Sequence, residues 1–110
     1  MFFLYLKLLL GVAQCVHLKV SRHITKTPHM NKIIDKQTAE HYLWGDNCDS
    51  WVLADTVGLS VRQESMPSST REKLHFHHNA QQFFFILKGS ATFYLNEIKT
   101  IVTKQKGILI

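Results

Sequence analysis

Gln82-Phe83-Phe84-Phe85-Ile86-Leu87-Lys88-Gly89-Ser90-Ala91-Thr92-Phe93-Tyr94-Leu95 is the stretch that decides the fold. The apolar run Phe83 to Ile86 must be buried on at least one face, and Lys88-Gly89 makes a turn. After it, Ala91, Phe93 and Leu95 alternate against Thr92, Tyr94 and Asn96. Alternation with period two in aromatic and β-branched residues marks half-buried strands, and a glycine turn between two such runs reads as an antiparallel pair.

The same pattern extends in both directions. Trp51-Val52-Leu53-Ala54 and Leu59 to Met66 read as strands, and Pro67-Ser68-Ser69-Thr70 breaks them with turn formers. Lys73 to Asn79, Thr100 to Thr103 and Ile108 to Ile110 continue the series. Asn31 to Tyr42 holds Ile33, Ile34, Ala39 and Tyr42 among charges, which suits a short helix or an irregular arm. Short strands separated by frequent turns, with little helix after Tyr42, predict an all-β sandwich or barrel.

A chain of 110 residues has room for one domain with one modest core. The net charge of +5 is uneven: residues 1–29 carry Lys7, Lys19, Arg22 and Lys26 and no acid, whereas all eight acidic residues lie beyond Met30. The folded part is therefore close to neutral, and no basic cluster interleaved with aromatics is present to engage nucleic acid. Two cysteines, Cys15 and Cys48, make neither a disulfide framework nor a zinc knuckle, which favours a reduced, cytoplasmic setting.

Residues 1–29 are apolar and basic. Lys7, Gln14 and His17 interrupt the run, so it does not read as a transmembrane helix, which wants about 20 mainly apolar residues. It also lacks the charged start and the small-residue cleavage site of a signal peptide. Three readings stay open: an extension ahead of a true start at Met30, a signal or anchor that would export the protein or tether it to a membrane, and an ordered helix. The strand pattern begins after Met30, so the first 29 residues are expected to be dispensable for the fold.

In a strand, residues two apart face the same side, so His75 and His77 project together. Gln82 opens the next segment and offers an amide oxygen that can converge with them. Two imidazoles and one oxygen donor with open positions suit a divalent manganese, iron, nickel or zinc ion. His-x-His alone on a strand is a weak signal, and its setting is what gives it meaning.

That setting resembles the first motif of the cupins: Gly, five residues, His-x-His, three or four residues, Glu, six residues, Gly. Ser69, His75-Phe76-His77, Gln82 and Gly89 fit every spacing. The wider stretch, with Tyr42-Leu43-Trp44-Gly45, Asn47-Cys48-Asp49-Ser50-Trp51, Met66-Pro67 and Gln81-Gln82-Phe83-Phe84-Phe85, is similar to small single-domain bacterial cupins of the conserved-barrel (cupin type 2) group. The resemblance implies a β-barrel or jelly roll over residues 30–110 with a divalent metal at His75, His77 and Gln82. Three departures matter. Ser69 stands where the motif has Gly, which costs little if that turn does not need a positive φ. Gln82 stands where it has Glu, removing a charge from the metal. Gly107-Ile108-Leu109-Ile110 looks like the opening of the second cupin motif, whose His ligand does not follow, so the barrel is expected to lack its last strands.

Phe83, Phe84, Phe85, Phe93 and Tyr94 are assigned to the core or barrel wall, and Trp44 and Trp51 to one barrel end. Arg62, Glu64 and Glu72 fit a pocket lining or a solvated strand face equally well, and His17 and His41 carry no readable role. Three functions remain in competition. The first is a barrel that binds a small sugar-like or organic-acid molecule, with or without metal. The second is a metal-dependent isomerase or dioxygenase, and the third a truncated, non-functional cupin. Open strand edges would favour a homodimer.

Overall fold

In a computed structural model, residues 4–7, 13–21, 32–71 and 80–110 are described, with side chains for 13–20, 32–71 and 80–110. The described residues form nine strands and no helix: β1 Leu4–Lys7, β2 Ala13–Ser21, β3 Glu40–Trp44, β4 Cys48–Asp55, β5 Leu59–Met66, β6 Ala80–Lys88, β7 Ser90–Leu95, β8 Ile98–Thr103 and β9 Gly107–Leu109. All pairings are antiparallel, in a three-stranded sheet ordered β1-β7-β8 and a six-stranded sheet ordered β3-β4-β5-β2-β6-β9. The all-β class and the strand series from Trp51 onward are as the alternation predicts. The strand expected over Lys73–Asn79 lies outside the described residues.

The sheets meet through the side chains that alternation turns inward. Phe84 of β6 and Phe93 of β7 are both buried, with ring centroids 5.2 Å apart, and Cys48, Met66, Ala13, Cys15, Ile86, Ala91 and Val102 complete the core. Asn96 and Glu97 both have positive φ and turn the chain tightly from β7 into β8. Gly107 is fixed by a neighbour, because a Cβ there would run into the Phe83 ring and come within 3.0 Å of the Phe84 carbonyl oxygen.

One expectation needs correction. The helical option for Asn31–Tyr42 is not taken. Asp35 Oδ1 accepts from the backbone N–H of Gln37 (2.9 Å) and Thr38 (3.0 Å), closing one turn, and Glu40 to Trp44 is then extended. A short polar side chain that bonds its own backbone competes with helix propagation. The expected boundary at Met30 falls between β2 and the strands it pairs with. β2 runs between β5 and β6, with Val16 opposite Gln63 on one side and Phe85 on the other, and β1 pairs with β7. Its sequence has the period a strand needs: Ala13, Cys15, His17 and Lys19 share one face, and Gln14, Val16, Leu18 and Val20 the other.

Without β2, two long strands lose a ladder each and both present an unpaired edge. A chain beginning at Met30 should therefore lose cooperative urea unfolding and aggregate, while the full chain unfolds in one transition, as followed by far-ultraviolet circular dichroism. Equal midpoints for the two chains would show that β2 contributes nothing to stability.

Candidate functional site

The cross-strand registers place a set of polar side chains on the inward face of the six-stranded sheet. Tyr42, Ser50, Glu64, Cys15 and Ile86 form one row across β3, β4, β5, β2 and β6; Val52, Arg62, His17, Phe84 and Ile108 form the next. Lys19 and Gln82 face each other one step further along. Apolar residues would fill this face at the lowest cost, yet Ser50 is fully buried, Glu64 is 8% exposed and Gln82 is 2% exposed. A solvated strand face therefore does not describe Glu64.

Of the three metal ligands the sequence proposes, Gln82 alone falls among the described residues; His75, His77 and the nearby Glu72 and His78 lie outside them. Gln82 is anchored through its main chain, which donates to the Ile110 carbonyl at 3.0 Å and accepts from the Ile110 N–H at 2.8 Å. Its side chain is buried on the inward face. Among the described residues no three His, Cys, Asp or Glu side chains converge as a cation cage.

Two inward polar atoms, Ser50 Oγ and Arg62 Nη1, are buried with no hydrogen-bond partner. Each such group costs about 1–3 kcal/mol if left unmet. The other end of the guanidinium, Arg62 Nη2, is 4.0 Å from Asp55 Oδ2, and the group stands 5.9 Å from the centre of the Tyr42 ring. His17 lies flat on Phe84, with ring centroids 4.2 Å apart and an interplanar angle of 8°. Nothing in the sequence reading gave His17 or Cys15 a place here. The signal was the alternation in Ala13–Ser21, hidden inside what reads as one apolar run.

Both cysteines are buried, and Cys48 carries a free thiol. Burial pushes the Cys48 thiol up. The Glu64 and Asp46 charges add to this, against hydrogen bonds from the Thr70 side chain and the Asp46 backbone. Cys48 is thus a protonated core residue at neutral pH and neither a nucleophile nor a ready ligand. The tryptophans do not share one end. Trp44 is opposite Cys48 and packs on the core, whereas Trp51 is on the outward face with Lys36 Nζ 4.0 Å above its ring. Beside it His41 Nε2 and Asp49 Oδ1 are 2.7 Å apart, a partner the sequence did not reveal. A shallow groove of ≈ 460 Å³ on this side is lined by Ile34, Asp35, Lys36, Gln37, Leu53 and Gln63.

The chain matches no family model, no curated protein and no solved structure. No helix among the described residues is long and apolar enough to cross a membrane.

Ser69 has φ +64°, so the turn into the His-x-His segment does adopt the left-handed conformation that glycine tolerates. A side chain there costs roughly 1–2 kcal/mol. Ser69→Gly should raise stability by about 1 kcal/mol, read as a higher urea midpoint at unchanged slope; a lower midpoint would mean that the turn does not need this conformation.

Proposed function

We propose that this protein is a cupin-like small-molecule-binding domain, in which a ligand lies on the inward face of the six-stranded sheet and a divalent cation is held by His75, His77 and Gln82. The observation that carries the reading is the burial on that face of Ser50 Oγ and Arg62 Nη1 with no hydrogen-bond partner. Polar side chains withdrawn from water on a core-facing surface are costly unless something polar meets them. The motif spacing around Ser69, His75, His77, Gln82 and Gly89 supports the cation, with manganese, iron, nickel or zinc compatible with its donors. Gln82 supplies a neutral oxygen, so the site holds its cation more weakly than one completed by a carboxylate. Among the described residues the six-stranded sheet ends at β3 and β9, and such edges offer a second copy a place to pair.

Titration of the full chain with manganese and with zinc, followed by calorimetry, tests the cation directly. One equivalent should bind, His75→Ala and His77→Ala should abolish binding, and Gln82→Glu should tighten it at least tenfold by restoring a charge. Loss of binding in neither histidine variant, or no uptake by the parent chain, would refute the cation site.

A further inference from the structure

The outward face of the six-stranded sheet lacks the pattern of a face turned to water. An antiparallel sheet with one wet side alternates apolar and polar residues, whereas strands covered on both sides read as near-continuous apolar runs. β6 is such a run: Phe84 and Ile86 fill the core, and Phe83 and Phe85 point the other way. β2 behaves alike, with Val16, Leu18 and Val20 outward. The registers join these side chains into one patch. Val61, Leu18, Phe83 and Leu109 form a row across β5, β2, β6 and β9, flanked by Val16 and Phe85 on one side and by Leu59 and Val20 on the other. Phe83 is 37% and Leu109 64% exposed, and the second sheet packs on the opposite side, so among the described residues no layer covers the patch.

Three properties of the patch select a second copy of the same chain. Its three rows carry no Asp, Glu, Lys or Arg among the described residues, so a copy meeting itself about a two-fold axis opposes no like charges. Depletion of charge around an apolar centre is also the composition of homodimer interfaces. The shape fits as well, since a twisted sheet is matched by another of the same twist, as in face-to-face sheet packing. The size is sufficient. Six strands at about 4.8 Å by about six residues at about 3.3 Å give on the order of 600 Å² in projection, which side-chain relief raises toward the roughly 800 Å² that each partner brings to a standard interface.

We propose that two copies of this chain pack face to face through this patch, about a two-fold axis near Leu18. The contact uses none of the inward face, so it does not depend on what that face holds. The test is sedimentation equilibrium of the full chain across micromolar concentrations. It should show a monomer–dimer equilibrium that high salt does not weaken, because screening relieves the repulsion between two chains of net charge +5 and removes no attraction. Leu18→Lys and Leu18→Glu each bring like charges together at the axis, and each should be monomeric where the parent chain is a dimer. An equimolar mixture of the two should dimerise again, which unfolded variants could not do. If either Leu18 variant fails to fold, Leu109→Glu, at the exposed end of the same row, should weaken the dimer at least tenfold. A parent chain that stays monomeric would overturn the proposal. So would a dimer unchanged in the Leu18 variants and in Leu109→Glu, which would put the contact at the edges of β3 and β9. Monomeric Leu18 variants that do not recombine would overturn the axis at Leu18. Binding of the monomer to anionic lipid vesicles, lost in Leu109→Glu, would assign the face to a membrane and overturn the dimer.

Discussion

The two hydrogen-bond ladders of β2 hold β5 and β6 in one sheet, and every feature of the inward face depends on them. Eight residues of β2 are in register with β5, and eight with β6. A central strand of this kind satisfies its backbone groups on both sides and removes two edges from water at once. The polar rows follow directly. Glu64 and Ile86 are one strand apart across Cys15, and Arg62 and Phe84 are brought beside each other only because His17 stands between them.

The same strand explains how the face can be polar and still stable. Cys15 and Ala13 join the buried cluster with Met66, Ile86 and Phe84, and the second sheet covers them with Phe93, Ala91 and Val102. Ser50, Glu64 and Gln82 are buried on the same face as this cluster. Burying a polar group in such surroundings strengthens whatever polar interaction it makes and penalises the lack of one. Cys48 shows the local consequence, since its thiol stays protonated beside Glu64.

Much of this was legible in the sequence, element by element. Leu59–Met66 was read with its observed bounds, because Leu59 and Val61 alternate with Ser60 and Arg62 and Pro67 ends the run. The run Phe83 to Ile86 was read as buried on at least one face without saying which; Phe84 and Ile86 are the buried pair, and Phe83, assigned to the core or wall, is 37% exposed. β2 was not legible because its alternation is weak: Cys15 and His17 are intermediate in polarity, and the segment sits in a longer run of apolar residues that resembles a leader. β3 was missed for a different reason, since Glu40, His41 and Tyr42 are an exposed edge whose extended form is set by pairing with β4 rather than by its own pattern. Of the candidate site, the motif spacing singled out Gln82. Ser50 drew no attention, because a serine announces a role only once its burial and its unmet hydroxyl are known.

That residues 13–21 form the middle of the sheet is the claim on which the rest stands, and native-state hydrogen exchange tests it residue by residue. Amides in the interior of a central strand open only with global unfolding, whereas those of an appended segment exchange freely. The account predicts that the N–H groups of Val16, His17 and Leu18 exchange as slowly as those of Gln63 in β5 and Phe84 in β6. Exchange of Ala13–Ser21 at the rate of an unstructured peptide, with β5 and β6 still protected, would contradict it.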